Sequence, residues 1–342
     1  MKVVIVALAC LMCGGEVRAQ ALLHSTTELP PAANVPAPAA APVHSVDTGS
    51  GSVFRSAVDL VSLNVIVTDG KDKFVTGLTQ KDFAVYEDGV QQDLSFFASA
   101  DVPLDLAILL DSSSSMADKM ATTQQAAIGF ASSLRRGDRV MVVGIKDSAR
   151  TLHPLNEDVS AACEAIRQAS ASGGTALYNA LYTSIKLMEK VHAADGDIRR
   201  QAIAVFTDGD DTSSLVTFDD LMPLAKQAGI AIYTITLKSA FPALGFTSQQ
   251  YFSESGFTMR ALAQETGARS FFPTDISQLA GVYGVITQEL ANQYALGYTS
   301  KNPRPDGAFR RILVRVTEPN VRTRTRSGYQ ATTQSARVSL NR

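Results

Sequence analysis

The sequence predicts an α/β protein in which a doubly wound, mostly parallel sheet is accompanied by a small β-sandwich. Two observations support this fold class. Residues 101–293 alternate apolar runs typical of strands with segments of helical period, and this order builds a parallel sheet. The flanking segments, residues 53–100 and 294–330, carry the apolar-polar alternation of strands with one buried face.

The central segment predicts five strands and six helices. Two of the strands contain continuous apolar runs, at residues 106–110 and 202–206, which is typical of strands covered on both faces. The predicted strands are 105–110, 139–146, 201–207, 230–237 and 269–272, and the predicted helices are 116–134, 159–169, 177–191, 218–227, 259–266 and 276–293.

The flanking β segments predict a sandwich assembled from both ends of the folded region. Residues 61–67 form one predicted strand, and residues 83–87 and 90–97 flank an Asp-Gly pair that indicates a hairpin. A β unit of this size buries little surface alone. We therefore expect it to pair with the predicted strands at 294–299 and 311–317.

The beginning of the chain resembles an export signal. Lys2 precedes a short apolar run at residues 3–13, and Ala19 marks an expected cleavage point. The run is shorter than the roughly 20 residues of a spanning helix. We expect a mature chain without a transmembrane helix, exported to the periplasm, the cell surface or the medium. A membrane anchor, or lipid attachment at Cys10 or Cys13, is the alternative.

Composition indicates two further segments and excludes one class of partner. Residues 20–52 are rich in Ala and Pro without an apolar period, so they are predicted to be a linker, and residues 331–342 are predicted to be a tail. The whole sequence has 31 basic and 33 acidic side chains and a formal net charge of −2. Because no field of one sign is present, we expect no nucleic-acid partner.

Oxygen-bearing side chains follow two of the predicted central strands. Asp111, Ser113 and Ser115 come directly after the strand at 105–110, and Asp208 follows the strand at 201–207. Thr175 ends a Gly-Gly-Thr loop ahead of a predicted helix. Ligands of doubly wound sheets bind at the carboxyl ends of the strands, so we expect these side chains to converge there.

These three motifs together resemble the metal-ion-dependent adhesion site of von Willebrand factor type A domains. The flanking segments 78–89 and 294–298 resemble the related proteins that are abundant in acidobacteria. The resemblance implies that the two serines and the threonine touch a metal ion directly or nearly so, that the aspartates act partly through water, and that a partner's carboxylate completes the shell. The implied metal ligands are Asp111, Ser113, Ser115, Thr175 and Asp208.

The chemistry of the candidate donors indicates which metal ion they would bind. Hydroxyl and carboxylate oxygens without a nearby His or Cys favour one Mg²⁺, with Mn²⁺ or Ca²⁺ as alternatives. Five donors leave one coordination position for a protein ligand that presents an Asp or Glu carboxylate. The competing interpretation is that these residues cap helices and turns. Asp210 and Asp211 are interpreted as a solvated acidic loop, with an accessory ion as the alternative.

The leading hypothesis for function is an exported, metal-dependent adhesion or scaffold module that is not an enzyme. One alternative is a metal-assisted hydrolase of the cell envelope, for which the sequence offers no general base. Another is a structural envelope protein with no ion bound. The alternating Arg322, Arg324 and Arg326 are interpreted as a solvated strand face, with contact to a polyanion or an envelope glycan as the alternative.

Overall fold

The computed structural model describes residues 60–99, 102–195, 198–208, 210–237 and 255–331. The predicted export signal and linker, and the predicted tail beyond residue 331, lie outside the described residues. Within them, no helix has both the length and the apolar composition needed to cross a membrane. The domain divisions at 100/101 and 293/294 stay predictions.

Strands and helices alternate through the centre of the described chain, whereas its two ends contain strands and no α-helix. The strands are β1 (Leu60–Asp69), β2 (Phe83–Glu87), β3 (Val90–Gln92), β4 (Leu94–Ala98), β5 (Leu104–Asp111), β6 (Arg139–Ile145), β7 (Ala149–Asn156), β8 (Arg200–Thr207), β9 (Ala231–Thr236), β10 (Ser270–Phe271), β11 (Tyr294–Thr299), β12 (Phe309–Val316), β13 (Val321–Arg324) and β14 (Gly328–Gln330). The helices are α1 (Met120–Ser132), α2 (Val159–Gln168), α3 (Leu177–Asp195), α4 (Phe218–Ala228), α5 (Ser255–Glu265) and α6 (Leu279–Ala291).

The central sheet has the order β10-β9-β8-β5-β6-β7 and confirms the doubly wound α/β prediction. Its pairings are parallel except for β7, which runs antiparallel to β6 at the edge. The sequence did not predict β7. The strand contains Pro154, and its apolar residues do not alternate with polar ones, so it lacks the signal of a strand with one buried face.

Strand β5 lies in the middle of this sheet, and all eight of its residues are buried. Leu106 and Ile108 face a core that includes α1, α2 and α6. Ala107 and Leu109 face the opposite core, which includes α3, α4 and α5. Helices therefore cover both faces of β5, as its continuous apolar run predicted.

The flanking strands form the predicted β-sandwich. Its two sheets have the orders β13-β1-β11-β4 and β14-β12-β2-β3, and each contains strands from both ends of the described chain. One apolar core is shared between the sheets and includes Leu63, Val65, Val85, Leu296 and Val314.

The predicted strand at 90–97 is wrong as a single strand. It divides at Asp93, because β3 pairs with β2 whereas β4 pairs with β11 in the other sheet. A change of sheet within one apolar run leaves no mark in the alternation of side chains, which explains the error. The short strands β13 and β14 were not predicted.

Two of the three alternating arginines join the sandwich to the central domain. Arg324 Nη2 lies 2.6 Å from Glu289 Oε2 on α6, and the Glu289 side chain is only 1% exposed. Buried Arg326 donates through Nη1 to the carbonyl oxygen of Lys226 at the end of α4, at 3.4 Å. The solvated-face interpretation is therefore wrong for these two residues, and only Arg322 is exposed.

Gly267 lies at the same junction, just after α5. Its φ is +80°, and a Cβ atom there would lie 2.5 Å from the backbone nitrogen of Arg326. Backbone atoms of the sandwich therefore occupy the place that any larger side chain needs.

We predict that Gly267→Ala lowers the free energy of unfolding by about 2–4 kcal/mol, because it combines left-handed backbone strain with a backbone clash. Gly129→Ala is the control, since a Cβ on Gly129 in α1 meets nothing within 4 Å. The control is expected to gain about 0.5–1 kcal/mol from helix propensity. Urea unfolding curves measure both, and equal stabilities of the two variants would contradict the tight junction.

Candidate metal site at the carboxyl edge of the central sheet

The carboxyl end of β5 turns directly into the serine-rich segment. Asp111 is the last residue of the strand, and a 3-10 turn spans Ser114–Met116 before α1 begins at Met120. The predicted helix start at residue 116 is thus four residues early. The serines consequently lie on a turn at the sheet edge, where their side chains are not committed to a helix face.

Hydrogen bonds bring the three predicted site segments together. The backbone nitrogen of Ser114 donates to the carbonyl oxygen of Gly173 at 3.0 Å, which ties the serine turn to the Gly-Gly-Thr loop. The backbone nitrogen of Thr212, after β8, donates to the carbonyl oxygen of Thr175 at 2.9 Å. The structure therefore places the segments that carry Asp111, Thr175 and Asp208 against one another.

The two glycines before Thr175 lie close to the side chain of Asp147. The Asp147 carboxylate accepts a hydrogen bond from the Gly174 nitrogen at 2.8 Å. Gly173 has a φ of +77°, and a Cβ there would lie 2.4 Å from Asp147 Oδ2. This contact fixes the path of the loop and hence the position of Thr175, which is 4% exposed.

The carboxylate of Asp111 is at the bottom of the site. Its residue is 0% exposed, and its oxygens accept hydrogen bonds from the Ser113 nitrogen at 2.9 Å and from Thr207 Oγ1 at 2.8 Å. Burial raises the pKa of Asp111; the hydrogen bonds from Ser113 and Thr207 oppose this, and the charge of Asp208 adds to it. Among the described residues, Asp111 has no ion-pair partner.

The remaining donors extend from Asp111 towards solvent. Ser113 is buried, Ser115 is exposed, and their hydroxyl oxygens are 3.0 Å apart. The side chain of Asp208 is 10% exposed, and its Oδ2 lies 3.9 Å from Nζ of Lys119. Exposure to solvent thus increases along this turn from Asp111 to Ser115.

Sequence reasoning missed two residues of this site. Thr207 orients the Asp111 carboxylate, and its signal was its place at the end of a central strand directly before Asp208. Lys119 brings an ammonium group beside Asp208, and no motif in the sequence indicated it. Both act through contacts between segments that are distant in the chain.

Asp211 has a local structural role that the sequence analysis did not predict. Its Oδ1 accepts hydrogen bonds from the Leu177 nitrogen and from Ser214 Oγ, both at 2.7 Å. Asp211 thus caps the first turn of α3, the helix that follows Thr175. The interpretation of this residue as part of a solvated acidic loop is wrong.

The donor set limits the metals that would fit. No group of three or more His, Cys, Asp or Glu side chains in the described part of the chain is arranged to hold a metal ion. The candidate set instead combines two carboxylates with three hydroxyls, all of them hard oxygen donors. Such a set fits Mg²⁺, Mn²⁺ or Ca²⁺ and is unsuited to zinc or copper.

A family model described as the von Willebrand factor type A domain matches residues 105–283. The chain belongs to this family. Domains of this family mediate interactions between proteins and often bind a divalent metal ion, and proteins that contain them are typically adhesion or scaffold modules. The match covers the central sheet from β5 to α6, and so includes every candidate metal ligand.

Individual relatives are distant. A UPF0353 protein from Mycolicibacterium paratuberculosis is 25% identical over 199 residues, which are 54% of this chain and 60% of that protein. This chain thus spans less than two thirds of that relative's length. A von Willebrand factor type A structure from Catenulispora acidiphila is 13% identical, with a TM-score of 0.46, over 83% of this chain and 76% of that chain.

An aerotolerance-related membrane protein from Bacteroides fragilis is 18% identical to this chain. The similarity covers 55% of this chain and 98% of that chain, with a TM-score of 0.43.

Strand β5 offers a direct comparison of two buried aspartates. Asp105, at the start of the strand, is 0% exposed and pairs with Arg139 and Arg199, each through a contact of 2.7 Å. Asp111, at the other end, has only uncharged donors among the described residues.

We predict opposite changes in stability when Asp105 and Asp111 are each replaced by asparagine, measured in the presence of a chelator. Asp105→Asn should lower the free energy of unfolding by about 3–5 kcal/mol, because it breaks a buried ion-pair network. Asp111→Asn should raise the melting temperature, because it removes a buried charge that has no counter-charge. Calorimetry at neutral pH measures both, and a destabilised Asp111→Asn protein would contradict the uncompensated charge.

Proposed function

We propose that this protein is an exported, non-enzymatic protein-binding module that acts in adhesion or scaffolding through one divalent metal ion. Mg²⁺ is the proposed ion, with Mn²⁺ or Ca²⁺ as substitutes, and its ligands are Asp111, Ser113, Ser115, Thr175 and Asp208. The partner supplies an Asp or Glu carboxylate to the free coordination position. The burial of Asp111 without a described ion-pair partner is the observation that carries the proposal.

The electrostatics of Asp111 support a bound cation. A carboxylate buried without a positive partner destabilises the folded state, and a cation at the site would remove that penalty. The hydrogen bonds from Ser113 and Thr207 hold the carboxylate in place but add no charge. A divalent ion supplies positive charge to a carboxylate whose hydrogen-bond donors among the described residues are all uncharged.

The hydroxyls of Ser113 and Ser115 support an ion that keeps an open side. They are neutral ligands, so two aspartates are the only anions of the set, and the exposed position of Ser115 puts the rim of the site within reach of a partner. Once the divalent ion is bound, the net charge of the site is neutral or positive, which favours an arriving carboxylate. The proposed chemistry is coordination, with no bond broken.

Metal binding is tested by the melting temperature in a chelator and in excess Mg²⁺ or Mn²⁺. We predict a rise for the natural sequence, because an ion that binds only the folded state at about 100 times its Kd adds about 2.7 kcal/mol. Ser113→Ala and Asp208→Asn should abolish the rise. Asp219→Asn, at an exposed carboxylate of α4, should keep it. An unchanged melting temperature for the natural sequence would contradict the proposal.

The carboxylate requirement is tested by capturing proteins from envelope extract on the immobilised chain. We predict a Mg²⁺-dependent fraction that a chelator releases and that Asp111→Ala does not retain. Amidation of carboxyl groups in the extract should abolish capture, whereas acetylation of its lysines should not. Capture that survives amidation, or that the chelator leaves intact, would contradict a carboxylate bound to the ion.

A further inference from the structure

We propose that the ammonium group of Lys119 is a fixed positive charge within the candidate metal site, which weakens binding of the metal ion alone and makes it depend on an anionic ligand. This inference rests on the proposed function, because it concerns the regulation of the same site. It assigns a role to a residue outside the ligand motif.

The backbone of Lys119 is held at the start of α1. Its nitrogen donates to the Met116 carbonyl oxygen at 2.9 Å. Its own carbonyl oxygen accepts hydrogen bonds from the nitrogen of Thr123 at 3.0 Å and from the hydroxyl of Thr123 at 2.9 Å. The side chain therefore originates from a fixed point one turn after the serines.

The ammonium group of Lys119 is buried against Asp208. The side chain is 9% exposed, and Nζ lies 3.9 Å from Asp208 Oδ2. Within the described residues, this nitrogen makes no hydrogen bond. Among the lysines that the structure describes, Lys119 is the one that is buried.

An ordinary salt bridge is a poor description of this arrangement. Lys186, on the surface of α3, reaches Glu189 at 2.9 Å with 48% of its side chain exposed, which is typical of a solvated pair. Lys119 is desolvated but stays an ångström further from its carboxylate. A buried charge held at this separation retains most of its field, since little water screens it.

The charges of the site explain the proposed coupling. Asp111 and Asp208 are two negative charges, and Lys119 leaves a single net negative charge for the arriving cation. A divalent ion then makes the site positive by one charge. One carboxylate from outside restores neutrality, so each of the two ligands strengthens binding of the other. Without Lys119, the two aspartates neutralise the ion by themselves.

The inference is tested by Mn²⁺ titration followed by electron paramagnetic resonance, with acetate as the anionic probe. Each titration is done in chloride and in acetate at equal ionic strength, with free Mn²⁺ corrected for its acetate complex. The variants are Lys119→Met, which removes the charge while keeping side-chain length, and Lys119→Gln, which keeps a polar end. Lys190→Met, at an exposed lysine of α3, is the matched control.

We expect Lys119→Met and Lys119→Gln to bind Mn²⁺ at least about tenfold more tightly than the natural sequence in chloride, because they remove a nearby like charge. Acetate should tighten Mn²⁺ binding in the natural sequence and in Lys190→Met, and much less in the two Lys119 variants.

Equal or weaker Mn²⁺ binding by both Lys119 variants would overturn the inference and leave the proposed function standing. Tighter binding with an unchanged effect of acetate would overturn the coupling. Absence of Mn²⁺ binding in the natural sequence and in every variant would overturn both the inference and the proposed metal site.

Discussion

The burial of the Asp111 carboxylate at the end of the central strand is the constraint on which the rest of the site depends. Strand β5 is buried along its whole length, so an acid at either end must be compensated within the protein. At the start of the strand, two arginines compensate Asp105. At the other end, the described residues offer Asp111 only hydroxyl and amide donors. The protein itself neutralises the charge of Asp105, whereas the charge of Asp111 has no positively charged partner among the described residues.

The neighbouring loops are arranged around that carboxylate. Asp147 fixes the Gly-Gly-Thr loop, and Asp211 caps the helix that follows it, so two acids outside the ligand set hold Thr175 in place. Lys119 adds the opposite charge beside Asp208. Asp147 and Asp211 thus position the loops of the site, Asp111 and Asp208 supply its negative charge, and Lys119 supplies a positive charge.

The parts that the sequence predicted are those with local signals. The continuous apolar run of β5 predicted a central strand, and the oxygen motifs after β5 and β8 predicted a shared edge, because parallel strands end together. The capping role of Asp211, the position of Lys119 and the burial of Arg326 depend on contacts between distant segments. The division of the predicted strand at Asp93 was missed for a similar reason, since only the partner strands distinguish the two sheets.

The most direct test of the metal site is anomalous diffraction from crystals soaked with Mn²⁺. The structure and the chemistry of its donors predict one strong anomalous peak at the carboxyl edge of the central sheet, with the hydroxyl oxygens of Ser113, Ser115 and Thr175 at roughly 2.0–2.3 Å, the range of hard-ion coordination. A peak confined to other acidic surfaces, or no peak beside Asp111 at saturating Mn²⁺, would contradict the account.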